Sequence, residues 1–239
     1  MKWFGTLFIA VAVVTVVSAQ DLTPMPGGKS GDGVTTRYWD CCAPSCAWDQ
    51  IIKTKNGIPV QTCQADGVTP STKENNGHSG CEVGGNAYTC VNQSPKTIND
   101  TLSYVFVAAS FEGGADYDDC CICLVMDFKG ELAGKRMLAQ VTNTGAELNQ
   151  NHFDILIPGG GVGYFTLGCQ TQFNAPENGW GERYGGVQTI EGCNDLPELL
   201  QEGCRWRFNW MNGVSNPDVS FYQIKCPDYF VGVSKCGDL

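Results

Sequence analysis

Short runs of alternating apolar and polar positions recur along this 239-residue chain and predict a mainly β protein. They cover residues 104–107, 121–128, 136–142, 152–157, 162–167, 205–210 and 219–224. Residues 205–210 alternate most cleanly. Arg205, Arg207 and Asn209 take one face and Trp206, Phe208 and Trp210 the other, as expected of a strand with one buried side. Residues 196–202 predict a short helix, with Asp195 as N-cap, Pro197 in the first turn and Gly203 as the stop. Residues 20–33 are polar and rich in Gly and Pro, so they read as a short flexible leader to one domain spanning 34–239. No Ser-, Thr- or Pro-rich tract and no internal repeat marks a linker to a second module.

Two places break the strand rule by carrying an Asp among β-formers. In residues 35–48, TTRYWDCCAPSCAW, an extended chain puts Thr36, Tyr38, Asp40 and Cys42 on one face and Arg37, Trp39 and Cys41 on the other. In residues 152–157, Phe153, Ile155 and Ile157 face one way and His152, Asp154 and Leu156 the other. A half-apolar strand disfavours the charged form of a carboxyl, which suits a proton donor. Local violations of this kind are expected at working sites.

Composition narrows the setting. Lys2, the apolar run 7–17 and Val17-Ser18-Ala19 predict a secretory signal over residues 1–19, too short to span a bilayer. All fourteen cysteines lie beyond it, and an even count in an exported chain predicts seven disulfides. Cys41-Cys42 and Cys120-Cys121 are adjacent pairs, which normally take separate partners and so tie three segments together. Two histidines and one Cys-x-Cys are too little for a metal site. The net charge of −10, or −11 without Lys2, excludes nucleic acid and anionic membrane as partners and suits a neutral substrate. Asn92-Gln93-Ser94 and Asn99-Asp100-Thr101 are candidate glycosylation sequons at Asn92 and Asn99, with an unmodified loop as the alternative. The glycine run 159–163 lacks the Lys-Ser/Thr of a phosphate loop and more plausibly permits a tight turn after the Asp154 strand.

The motif YWDCC followed by PSC-x-W at 38–48 resembles the N-terminal signature of family 45 glycoside hydrolases, endo-acting β-1,4-glucanases. NHFDILIPGGGVG at 151–163, about 110 residues on, is similar to that family's other signature. Further similarity runs through RYGG at 183–186 and GCRWRF at 203–208. The resemblance implies a six-stranded double-psi β-barrel with long disulfide-linked loops and a few short helices. It implies inverting hydrolysis of cellulose or the xyloglucan backbone by a secreted monomer acting on plant cell-wall polysaccharide, with no cofactor. It also implies Asp154 as general acid and Asp40 as general base, about 6.5 to 9.5 Å apart to admit a water. The implied disulfides pair Cys41 with Cys169, Cys42 with Cys81, Cys46 with Cys120, Cys63 with Cys90, Cys121 with Cys236, Cys123 with Cys226 and Cys193 with Cys204.

One position departs from the pattern. The family usually has an Asp seven residues before the acid; here Glu147 stands there, a candidate stabilising carboxylate displaced by one methylene. That departure makes substituted glucans rivals to cellulose as substrate. Thr36, Tyr38, Trp39, Trp48, His152 and Tyr184 are candidate substrate contacts, the rings for stacking on pyranose faces. Each ring could instead be core, as could Trp180, and His152 could be structural. His78 reads as solvated. A non-hydrolytic expansin-like or barwin-like polysaccharide-binding protein is the rival class, and retention of Asp40 beside Asp154 argues against it.

Overall fold

The alternation is realised as seven strands in a computed structural model that describes residues 21–48, 57–72, 78–145 and 150–237. The predicted signal and Glu147 lie outside the described residues. The strands are β1 (Ser30–Tyr38), β2 (Lys96–Asn99), β3 (Leu102–Ser110), β4 (Cys123–Phe128), β5 (Arg136–Thr144), β6 (His152–Leu156) and β7 (Asp218–Ile224). Their order is β3-β5-β4-β7-β1-β6, and β6 pairs back onto β3, so six strands close a mixed barrel. β2 pairs with the start of β3, beside the stretch where β6 joins it. Closure leaves the six strands without a free edge.

The barrel interior follows from period 2. Val105, Val107, Leu124, Met126, Met137, Ala139, Phe153, Ile155 and Phe221 form one buried cluster drawn from β3 to β7. Outward neighbours such as Phe106, Val125 and Leu138 form a second cluster beneath loops and helices. On β6 the expected split holds: Phe153 and Ile155 are buried inside, while His152 and Asp154 are only half-buried outside. A one-residue slip would expose both apolar side chains, costing about 1.5–3 kcal/mol each, and would bury the carboxyl. The register that points Asp154 outward is therefore fixed by its neighbours.

Three helices differ from expectation. Residues 205–209 are not a strand but the end of α2 (Glu198–Asn209), with Trp210 as its C-cap; the helix begins after Pro197, and Asp195 is not its cap. Trp206 and Trp210 lie one helical turn apart and stack at 5.2 Å with 13° between planes. Gly203 does not stop this helix but sits inside it, where a Cβ would come 2.7 Å from Pro158. Residues 162–166 are not extended either, because Gly163 adopts a left-handed φ of 58°, and α1 (Leu167–Phe173) follows. The third helix, α3 (Asp228–Ser234), packs Phe230 against Phe106 and Tyr104.

The start of the domain also shifts. β1 begins at Ser30 rather than Val34, since residues 30–34 pair antiparallel with β7, and Met25 N–H donates to Gln223 O. Lys29 lies 3.1 Å from Asp119, whose carboxyl burial pushes up despite that cation. The flexible leader is thus a docked strand for part of its length. No helix among the described residues is long and apolar enough to cross a membrane.

All seven disulfides form in the pairing the resemblance implies. Each adjacent pair has one residue in left-handed backbone: Cys41 at φ 64° and Cys121 at 68°. Loops closed by 128, 115 and 103 residues of chain fall at the upper end of disulfide stabilisation, roughly 4–5 kcal/mol each on chain entropy alone.

Candidate active site

β1 and β6 run parallel, with Val34 opposite His152, Thr36 opposite Asp154 and Tyr38 opposite Leu156. Their outward side chains floor an open groove of about 920 Å³. Thr36, Tyr38, His152 and Asp154 share it with Arg37, Tyr164, Phe165, Glu182, Arg183 and Tyr184. The two chain segments that carry the unexpected Asp residues are thus neighbours. Thr36 Oγ1 and His152 Nε2 are 2.7 Å apart, and Asn143 of β5 donates to the Tyr38 hydroxyl at 3.2 Å.

Asp40 lies beyond the end of β1, where the alternation expected through residue 42 stops. Left-handed Cys41 turns the chain, and Asp40 Oδ1 accepts from Cys42 N–H at 2.9 Å. Asp40 is 7% exposed, so it is recessed, whereas Asp154 is open to the groove. Its backbone is held closely: a Cβ on Gly168 of α1 would collide with the Asp40 carbonyl and lie 2.5 Å from Cys81 Sγ. Glycine there lets α1 close against the Asp40 corner, and the Cys41–Cys169 and Cys42–Cys81 bonds fasten it.

The far wall is built by two arginines. Arg183 donates to Gly163 O at 2.7 Å and to Tyr164 O at 3.2 Å, and its guanidinium lies over the Tyr184 ring. Arg37 donates to Gly185 O at 2.9 Å and to Asn216 Oδ1 at 3.2 Å. Burial lowers the Arg37 pKa, and the charges of Asp154 and Glu182 oppose that shift. Behind it, buried Arg207 reaches Val187 O and is pushed down to about 10 by burial and by the Arg37 charge. Gly161, at φ 104°, lets this wall approach β1: its carbonyl accepts from Trp39 N–H at 2.7 Å, and a Cβ would come 2.7 Å from Arg183 O.

The predicted rings divide. Tyr184 is 68% exposed on the groove wall, but Trp39 is buried in the core at 1% and offers no face to a sugar. Trp180 is buried as well, facing Phe173 in a separate depression from the groove. Trp48 is half-buried and does not line the groove among the described residues. His78 is exposed, 3.2 Å from Glu82. Asn92 and Asn99 are both exposed; Asn99 Oδ1 accepts from Thr101 N–H and Oγ1 at the β2–β3 turn. Sequence reasoning missed Tyr164, Phe165, Arg37 and Glu182. For the two rings a signal existed: adjacent aromatics behind Gly163 cannot both be buried by one strand.

No group of three or more His, Cys, Asp or Glu among the described residues is arranged to hold a metal ion. The half-buried Asp154 carboxyl, a histidine and exposed rings line the open groove, while Asp40 is buried beyond the end of β1 and does not line it; the groove suits acid–base chemistry on an extended polymer.

Comparison with known proteins matches the profile of glycosyl hydrolase family 45 over residues 32–237. The chain is 48% identical over 219 residues to an endoglucanase of Phaedon cochleariae, covering 92% of this chain and 89% of that one. It is 48% identical over 224 residues to an endoglucanase of Cryptopygus antarcticus, covering 93% and 96%. A crystal structure of a cellulase from that Antarctic springtail superposes with a TM-score of 0.80 at 47% identity, over 87% of this chain and 98% of the other.

Proposed function

The chain belongs to glycosyl hydrolase family 45, and on that premise we propose that it is a secreted endo-β-1,4-glucanase that inverts the cleaved anomeric centre. The observation that carries this reading is the outward Asp154, half-buried in an open groove that also presents Tyr38, His152 and exposed aromatic rings. An open groove accepts the middle of a long chain, which is what endo-action requires.

Asp154 is the general acid: its proton goes to the glycosidic oxygen as the bond to the anomeric carbon breaks. Asp40 is the general base: it takes a proton from the water whose oxygen bonds that carbon from the opposite face. Recession suits this division, because the acid must touch the polymer while the base needs only a water. His152, hydrogen-bonded to Thr36, is placed to orient the acid's surroundings. Glu147 is the stabilising carboxylate of the reading, and its extra methylene relative to the family's Asp motivates a substituted glucan as an alternative to cellulose.

The test is release of reducing ends from amorphous cellulose, xyloglucan and mannan in parallel, by the parent and by Asp154→Asn and Asp40→Asn. Cleavage of a β-1,4-glucan that falls by orders of magnitude in both variants is expected. Binding without release of reducing ends would favour the expansin-like or barwin-like class instead.

A further inference from the structure

Strand β5 carries one residue more than β3 near its end. Val107 lies opposite Val141, but the next residue, Ala108, lies opposite Asn143, so Thr142 is a bulge. Met137, Ala139 and Val141 point into the barrel, and period 2 would send Asn143 in after them. The bulge turns Asn143 to the outer face instead, beside Ala108, which shares that face with Phe106. Ala108 in turn lies opposite Asp154 on β6, and Asp154 lies opposite Thr36 on β1. Asn143 therefore stands in the same cross-strand row as the acid, two strand spacings or about 10 Å along it.

From there its amide holds both ends of the segment that carries Asp40. Asn143 Oδ1 accepts from Ser45 N–H at 2.9 Å, and its Nδ2 donates to the Tyr38 hydroxyl at 3.2 Å. Ser45 N–H can only donate, so it dictates which way the amide points. Thr144 adds a second grip: its N–H donates to Ser45 Oγ at 2.9 Å, and the two hydroxyls are 3.0 Å apart. Residues 38 and 45 lie on either side of the left-handed turn at Cys41 that recesses Asp40. The disulfides of Cys41 and Cys42 fasten this turn to α1 and to Cys81, whereas Asn143 fastens it to the strand row that carries the acid.

We infer that Asn143 is a positioning residue for the reaction: its amide sets the distance between the Asp40 corner and Asp154, and the Thr142 bulge is what places it there. This rests on the proposed roles of Asp154 as acid and Asp40 as base. Asn143 does not line the groove, so it acts through Asp40 and not on the polymer. The distance matters because a water must fit between the base and the anomeric carbon, and a shift of about 1 Å costs turnover more than it costs binding.

The test is a double-mutant cycle on a cello-oligosaccharide, with Asn143→Ala introduced into the parent and into Asp40→Asn, and with enough enzyme to read the slow background. In the parent, kcat is expected to fall about thirtyfold with KM changed less than about threefold; in Asp40→Asn the same change is expected to cost less than about threefold, because no base is left to position. Asn143→Gln keeps both hydrogen-bonding groups but moves them by one methylene, and it carries the same cycle, with a loss of about tenfold in the parent, if Asn143→Ala does not fold. Equal losses in the two backgrounds would show that Asn143 does not act through Asp40, and an unchanged kcat in the parent background would show that it positions nothing. Either result overturns the inference and leaves the glucanase reading standing. An Asp40→Asn protein as active as the parent would overturn the base assignment and the inference with it.

Discussion

Thr36 and His152 sit on adjacent parallel strands, and the hydroxyl of one lies 2.7 Å from Nε2 of the other, next to the strand position that carries Asp154. The bond fixes one imidazole nitrogen and so fixes the ring at the floor of the groove. Thr36→Val keeps the shape and removes the partner. Turnover is expected to fall about tenfold, roughly 1.4 kcal/mol, with KM changed by less than about threefold and Thr36→Ser retaining most activity. Steady-state kinetics on a soluble β-1,4-glucan reads this, and unchanged turnover in Thr36→Val would remove the pair from the catalytic account.

Gly168 gives a steric test of how Asp40 is held. A methyl there meets the Asp40 carbonyl and Cys81 Sγ, neither of which is the free end of a flexible side chain. Gly168→Ala is expected to cost about 1–3 kcal/mol in denaturant unfolding and to lower activity as well. Gly232 in α3 is the control, since a Cβ there meets nothing within 4 Å; Gly232→Ala should be neutral or stabilising by up to about 1 kcal/mol. Equal effects at the two positions would show that α1 does not brace the corner.

The Asp119 carboxyl, raised by burial, makes a signed statement about pH. The folded protein holds this proton where the unfolded chain, near 3.8, has released it. The group's stabilisation is present below the unfolded value and is lost as pH rises through the folded one. Asp119→Asn removes that loss. The difference in Tm, variant minus parent, is therefore expected to be more positive at pH 7 than at pH 4, and a difference that falls with pH would reverse the assignment.

Residue 147 gives an independent test of the substituted-glucan alternative. Glu147→Asp restores the family's usual acid and is expected to shift relative kcat/KM by roughly tenfold toward the unsubstituted chain. A ratio unchanged within about twofold would place selectivity at other residues.

The site strands were legible because their signals are two-sided. Phe153 and Ile155 alternate with His152 and Asp154, and a barrel satisfies that pattern by burying one set. β2 carried no such signal, since all four of its residues are exposed. Residues 205–210 misled because Trp206 and Trp210, four apart, satisfy both period 2 and one helical turn. The deciding spacing of buried residues, Leu200, Gly203, Cys204 and Arg207, began upstream of that window. Trp39 looked like a sugar platform through its neighbour Asp40, yet it follows the last outward residue of β1 and turns into the core. The positive φ of Cys41, which recesses Asp40, has no signature in sequence at all, because left-handed backbone is expected of Gly and Asn, not Cys.

The central proposal, an open acid at Asp154 and a recessed base at Asp40 working through a water, is tested most directly by the anomeric configuration of the first products. Proton NMR of a cello-oligosaccharide digest, read before mutarotation, is expected to show α-configured new reducing ends, because water enters opposite the leaving oxygen. Initial β-anomers would mean that a carboxylate attacks the sugar itself, and would contradict the roles given to both residues.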